Sequence, residues 1–462
     1  MDKPEETLEE KEAAYERFVW SNLKRNFAGH FLHGMLGMTG FRLVNAPTFI
    51  PSYLHLLTGS PLLTGLGVSL QQLGGTISPI AGAVQIEHRR RVLPVSMFLG
   101  TMMRVQLLGI AIAGWFLKGE PLLLSTLLFL FLWGLFSGPQ GVAFQYLLAK
   151  GIPISRRGRL QAWRNFTGGA VSALLSYFAG RYLLGNNVFG NGYATTFMLA
   201  FLLTSAGLTA FRLLFREPVP PTIRPRMPMA QRVREFPALL SADPGFRYFM
   251  VARTFAIAGR VAAPFFIVYA ASVIHVTGTV IGVLSLVYLG ADTLTNLAWG
   301  YGADRYGFKT TFVGALAFWI ASAGLIMNAH TLMIISIAFF LSGAANAGYQ
   351  LSAQNMVLEF GHRDDIAMRL AISNTAENTM MAIGPIAVGA IVTGFGFHAV
   401  FILSVVLEAM ALVLMLWLVE EPRKRRLIGT AATAGADRES EDDVAAELAE
   451  ISAASDPLDS EP

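Results

Sequence analysis

The sequence predicts an all-α membrane protein of twelve transmembrane helices arranged as two parallel six-helix repeats. Three observations carry that expectation. Of the 462 residues, 53% are hydrophobic and only 14% are charged, where a soluble protein carries about 25% charged residues. Apolar runs of roughly 20 residues, the length that spans a bilayer as a helix, recur along nearly the whole chain. Landmark residues of the first half return in the second at a nearly constant spacing. Backbone polar groups in lipid must be satisfied internally, which selects helices over open strands. The short alternating segments of a membrane β-barrel are not seen.

The expected spans run over residues 27–53, 62–84, 93–117, 121–148, 160–184 and 194–215, then 246–274, 278–302, 309–328, 331–357, 367–394 and 398–420. This divides the chain into five parts. Residues 1–26 read as a cytoplasmic amphipathic segment, with Leu8, Tyr15, Phe18, Val19 and Leu23 on its apolar side and Trp20 near the membrane interface. Residues 27–215 form one six-helix bundle and 246–420 the other. Residues 216–245, rich in proline and arginine, read as a cytoplasmic linker. Residues 421–462 read as a disordered acidic cytoplasmic tail without apolar periodicity.

Basic residues fall on alternate loops. Arg89, Arg90, Arg91, Lys150, Arg156, Arg157, Arg305, Lys309, Arg363 and Arg423 share one side with the linker arginines, and the intervening loops carry few charges. The positive-inside rule puts that side, and both termini, in the cytoplasm. The repeat is visible at an offset of 217, where Pro47 meets Pro264, Gly65 meets Gly282 and Glu87 meets Asp304. Later the offset slips to 209, where Gln145 meets Gln354 and Asn165 meets Asn374. Parallel six-span repeats joined by a basic linker are a known transporter plan.

At these residues the sequence resembles the major facilitator superfamily (MFS), over about residues 27–420. The most specific stretch is the turn holding Gly300, Asp304, Arg305, Gly307 and Lys309, which matches the family pattern except at Phe308. Its first-half copy is degenerate, with Glu87 in place of the aspartate and Arg90 in place of the second glycine. The fifth span has Gly168 and Gly169 but lacks the proline-bearing motif of drug:proton antiporters. The resemblance implies the MFS fold and transport by alternating access. It also implies that Asp304 faces the start of the fifth span near Arg159 and Arg164, and that Glu87 faces Arg369 at the start of the eleventh. These contacts would form a latch when the cytoplasmic ends close, favouring the outward-open state.

Ionisable groups inside the membrane are functional candidates. Arg42 and Arg260 lie near the centres of the first and seventh spans, which line the central cavity in the resembling family. Thr39, Arg42 and Asn45 form a polar strip at three-residue spacing. Guanidinium forks suit a carboxylate or phosphate, so these residues are expected to bind substrate, as do Asn374 and Asn378. The organophosphate antiporters of the superfamily are similar in placing one arginine on each of these helices. Asp292 and Glu377 are the opposing charges, either as proton carriers or as partners, Arg260 with Asp292 and Arg42 with Glu377. Asn374, Glu377, Asn378 and Met381 share one helix face. Weaker candidates are Arg104 and Glu408 as packed structural groups, Gln71, Gln72, Gln145 and Gln350 as lining or interhelix bonds, and His30 and His33 as packed histidines. Arg253 and Arg212 are expected to snorkel to the cytoplasmic face.

The chain has no cysteine, no nucleotide-binding glycine loop, no zinc spacing and no nucleophile with its base, so no enzyme activity, cofactor, metal or nucleic-acid partner is expected. The expected protein is a monomeric secondary transporter of a bacterial cytoplasmic membrane. It would move a small organic solute, an anionic one in view of Arg42 and Arg260, and proton or ion coupling through Asp292 and Glu377 is the open alternative to their pairing. A proton-coupled drug or metabolite efflux pump is the alternative, and a non-transporting sensor or lipid-handling protein on the same fold is a third.

Overall fold

The computed structural model describes residues 7–86, 89–221, 240–241, 243–360 and 366–420. Every regular element among them is helical. Glu87, Arg363, most of the linker and the whole tail lie outside the described residues.

Helix α1 (Leu8–Ser21) starts at a capping box, in which Thr7 Oγ1 accepts from Glu10 N and the Glu10 carboxylate accepts from Thr7 N. The next rod is broken into α2 (Leu23–Asn45) and α3 (Phe49–Thr58), with Pro47 in the break. Then follow α4 (Pro61–Ile86), α5 (Leu93–Phe116), α6 (Gly119–Gly151), α7 (Ile154–Phe178, prolonged by a π-turn over Ala179–Leu184) and α8 (Gly192–Leu214). Asp243 caps α9 (Pro244–Arg260), which a 3-10 turn at Ala263–Phe265 separates from α10 (Phe266–Val273). Pro264 lies in that turn. The two related prolines therefore interrupt the first rod of each half at the same place, each by removing a donor from the helical ladder.

Helix α11 (Gly278–Tyr306) is capped by Thr277 and ends at Gly307, whose φ of 90° suits glycine and turns the chain directly into α12 (Phe308–Met327). Thr331 caps α13 (Leu332–Glu359). The last element, α14 (Ile366–Trp417), is divided into two arms at Gly396, where φ is 82° and ψ is 173°. Among the described residues, eight stretches are long and apolar enough to cross a membrane, and the last of these, Ile372–Trp417, contains both arms. With the α2/α3 rod, α4 and α7 there are twelve rods among the described residues.

Helices α2 to α8 pack among themselves and α9 to α14 do likewise, and the two groups meet along α4 against α14 and α7 against α11. In lipid, helix association rests on close packing and interhelical hydrogen bonds rather than on hydrophobic drive. The seams use glycine accordingly. A Cβ on Gly65 would lie 2.2 Å from Pro385 O, and one on Gly389 would lie 2.6 Å from Pro61 O. On the other seam, a Cβ on Gly180 would lie 2.4 Å from Gly282 Cα. Gly65 and Gly282 are repeat mates at the 217 offset, and Gly180 and Gly389 are mates at 209, so the two seams are symmetry copies. Hydrogen bonds cross between the groups from Ile386 N to Ser69 Oγ (3.0 Å), from Thr76 Oγ1 to Asn378 O (3.1 Å), and between Thr48 Oγ1 and Ser285 Oγ (2.6 Å). One buried apolar cluster joins Leu43, Phe49, Ala173 and Ala179 to Phe265, Phe266, Ile267 and Leu284. These contacts between the groups cluster toward the end of the rods remote from the basic loops.

Candidate functional site: a charged cavity between the two helix groups

A cavity of about 550 Å³ lies between the groups, lined by residues of both. The two proline breaks decide what lines it. Arg42 lies in the last turn of α2 and Arg260 is the last residue of α9. Each guanidinium sits at a helix C-terminus, where the macrodipole favours a cation by roughly 0.3–1 kcal/mol. Tyr288, Asp292 and Asn296, at i, i+4 and i+8, give α11 one polar stripe, and Asn346 and Gln350 do the same for α13. Asn45, Gln71, Gln72 and Asn165 complete the polar wall, and Ile50, Val68, Leu289 and Met381 are among its apolar members.

Asp292 is held at both oxygens. Arg42 Nη1 lies 3.1 Å from its Oδ2, and Asn346 Nδ2 donates to its Oδ1 at 2.8 Å. The Arg42 side chain keeps 28% of its surface exposed, so most of its donors still face the cavity. Beside it Gln71 Nε2 donates to Asn45 Oδ1 at 2.8 Å.

A second cluster surrounds Glu377 of α14. Arg260 Nη2 donates to Oε1 at 2.9 Å, and Arg253 Nη2 donates to Oε2. Arg253 is fully buried, donating also to Tyr349 Oη at 3.0 Å and to Ser373 Oγ. The Arg260 guanidinium lies 4.8 Å from the Tyr349 ring centre and 5.6 Å from that of Trp319, distances at which cation–π attraction acts. Its Nε is buried with no hydrogen-bond partner among the described residues. The two clusters together hold three guanidinium groups against two carboxylates.

Several sequence expectations need correction. The charge pairs are exchanged: Arg42 pairs with Asp292 and Arg260 with Glu377. Arg42 belongs to the first rod and α11 packs directly across the gap from α7, so Asp292 is the carboxylate within reach. Arg253 does not snorkel; seven residues before Arg260, it shares that residue's helix face and is drawn inward by Glu377, Tyr349 and Ser373. Arg369 pairs with Asp243 at 2.8 Å, within the second helix group.

Asn374 is exposed and Asn378 half-buried, and neither lines the cavity. Arg159 is exposed and Arg164 is buried with its guanidinium 5.5 Å from the Phe144 ring centre. Neither makes an ion pair among the described residues. Arg305 lies 5.4 Å from the Tyr306 ring centre. Arg104 donates to the backbone carbonyls of Thr204 (2.7 Å) and Gly100 (2.6 Å), a structural role. Glu408 is buried, 3.4 Å from Ser404 Oγ, which itself donates to Gly259 O. His30 and His33 pack against Phe144 and Phe211. Lys150 is not a free loop charge, because Glu217 Oε1 lies 2.9 Å from its Nζ. Among the described residues no three His, Asp or Glu side chains converge as metal ligands.

Sequence reasoning passed over Tyr288, Asn296, Asn346 and Tyr349 as site residues. The four-residue spacing of Tyr288, Asp292 and Asn296, and of Asn346 and Gln350, was the available signal.

Comparison with known proteins follows the same lines. Residues 248–452 match the family described as Major Facilitator Superfamily. No curated protein sequence gives a significant match. The fold is similar to that of a mutant of the nucleoside transporter NupG, with TM-score 0.68 and 13% identity, covering 86% of this chain and 100% of that one. It is similar to a D-xylose-proton symporter, with TM-score 0.65 and 14% identity, covering 87% and 99%. It also resembles a bacterial homolog of the human lysosomal transporter Spinster in an inward-facing and occupied conformation, with TM-score 0.60 and 13% identity, covering 87% and 96%. The second half thus matches the Major Facilitator Superfamily model, and the fold over both halves is similar to that of these solved transporters.

Proposed function

We propose that the protein is a secondary transporter that binds a small organic anion between Arg42 and Arg260 and moves it by alternating access. The observation that carries this reading is the charge count of the cavity and of the buried cluster behind it: Arg42, Arg253 and Arg260 face Asp292 and Glu377, one positive charge in excess. A monoanion completes the count, and the unpartnered Arg260 Nε offers it a buried donor. Uncompensated charge in a membrane interior is costly, so a carboxylate or phosphate oxygen gains most there. The amides of Asn45, Gln72, Asn165, Asn296 and Gln350 would read neutral polar groups on the rest of the solute.

The seams at Gly65–Pro385 and Gly180–Gly282 close one end of the cavity. With the basic loops in the cytoplasm, this arrangement is the inward-open state of a monomer in a bacterial cytoplasmic membrane, with both termini inside. The outward-open state would bring the separated ends together and let Asp304 approach Arg159. A second reading, proton-coupled efflux, draws on Asp292: its carboxylate bridges Arg42 to Asn346 across the gap, and protonating it would release the bridge as the halves rock. The first reading is tested by a thermal-shift screen of purified protein against organic monoanions, zwitterions and hydrophobic cations, because a ligand of the folded state raises apparent stability by mass action. Stabilisation confined to anions supports it. Stabilisation by hydrophobic cations alone favours the second.

A further inference from the structure

A separate hollow of about 410 Å³ lies where α2 and α7 begin, lined by Leu23, Lys24, Phe27, Arg156, Arg159 and Trp163. Arg156, Arg159 and Trp163 follow one another at i, i+3 and i+7, so they share one face of α7. Leu23, Lys24 and Phe27 come from the first turns of α2. Lys24, Arg156 and Arg159 are all exposed, and none makes a hydrogen bond or ion pair through its side chain among the described residues. Their neighbour Arg157 is different: its guanidinium caps the preceding helix by donating to Ile152 O at 2.8 Å and to Ala149 O. No acidic side chain lines the hollow.

We propose that this hollow holds the headgroup of an anionic phospholipid, with its phosphate between Lys24, Arg156 and Arg159 and the start of its acyl chains along Leu23, Phe27 and Trp163. The inference rests on the membrane-spanning reading of the chain and is independent of what the central cavity transports. Three unpaired cations converge on a space whose wall is apolar on one side, which matches a molecule that is anionic at one end and aliphatic at the other. A free phosphate would leave Leu23, Phe27 and Trp163 facing water. Trp163, in the third turn of α7, is 53% exposed, and tryptophan is enriched at the membrane–water interface. The nearby α1 leaves Phe18 and Trp20 exposed as well, as expected of a helix lying in the same interfacial plane. Lys and Arg stems reach along apolar surface while their charges stay at the polar boundary.

Each Lys or Arg near an anionic lipid surface raises affinity roughly fivefold, and three of them on the order of 100-fold. The test is native mass spectrometry of the full-length protein in detergent, with phosphatidylglycerol, phosphatidylcholine or inorganic phosphate added. Phosphatidylglycerol adducts are expected to exceed phosphatidylcholine adducts. Lys24→Gln, Arg156→Gln and Arg159→Gln should each lower them several-fold and together abolish the preference, while Arg212→Gln should not. These positions are exposed, so folding is not at stake in the single variants. The proposal is overturned if phosphatidylcholine is retained equally, if the triple variant keeps the preference, or if inorganic phosphate displaces the lipid adduct.

Discussion

Arg42 Nη1 lies 3.1 Å from Asp292 Oδ2, joining the first rod of one repeat to the second rod of the other across the cavity. Asn346 takes the second oxygen of the same carboxylate, so the aspartate is fixed while the arginine keeps free donors. The pair is half-wet, which sets its strength between that of surface pairs and that of buried ones. A double-mutant cycle with Arg42→Ala and Asp292→Ala is expected to give a coupling of about 1–2 kcal/mol. The measurement is detergent-solubilised thermal or denaturant stability, and a coupling near zero would mean the pair does not join the halves.

Arg253 and Arg260 share Glu377 but differ in burial. Removing Arg253 leaves Glu377 Oε2, Tyr349 Oη and Ser373 Oγ without their donor in the interior, whereas Arg260 borders the cavity, where water can take its place. Arg253→Ala is expected to destabilise by about 3–5 kcal/mol, and Arg260→Ala by clearly less. Comparing the two unfolding curves checks the order; a greater loss for Arg260→Ala would contradict it.

Glu217 closes the basic-loop end of the first helix group. It accepts from Val92 N (2.7 Å) and Leu93 N (2.9 Å) at the start of α5 and pairs with Lys150. Both charged side chains are nearly inaccessible, at 5% and 4%. Glu217→Ala leaves the buried Lys150 ammonium with only the Arg90 carbonyl and no counter-charge, and is expected to cost about 3 kcal/mol or more. Lys150→Met with Glu217→Gln should recover part of the loss, as read from melting temperature.

The glycine seams give a conformational prediction. Valine at Gly65 or Gly282 would place a Cβ within 2.2 Å of Pro385 O or 2.8 Å of Tyr177 O, so the present closed end cannot form without a shift. Either substitution should move the population toward the opposite-facing state. The chain has no cysteine, so a single cysteine at Gln72 in the cavity wall reports access directly. Labelling by a membrane-impermeant thiol reagent from the side remote from the basic loops should rise several-fold. Unchanged labelling would show that the seams do not gate the cavity.

Much of this was legible in the sequence because it is written locally. The tight turn follows from Gly307 and the repeat from landmarks 217 and 209 residues apart; Pro47 and Pro264 marked the repeat, while the breaks they make fall inside spans expected to be continuous. Arg42, Arg260, Asp292 and Glu377 stood out because charge in an apolar run is conspicuous without any knowledge of the fold. Their pairing was not legible. Which carboxylate meets which arginine depends on α7 meeting α11 and α4 meeting α14 across the gap, contacts that no helical periodicity encodes. Arg253 was misplaced because distance from a helix end suggested a solvated group, whereas its helix face, shared with Arg260, decides its burial. Asn346 carries no charge and was lost among ordinary polar residues of an apolar helix, although Gln350 one turn on gave it a companion.

The central claim is that Arg42 and Arg260 hold the transported solute, and flux measures it most directly. Purified protein in liposomes, supplied with an organic monoanion that stabilises it, should show saturable uptake or counterflow. Arg260→Ala and Arg42→Ala should each reduce that flux by at least tenfold, equivalent to about 1.4 kcal/mol, while the folded fraction stays comparable. Wild-type rates in both variants would contradict the account.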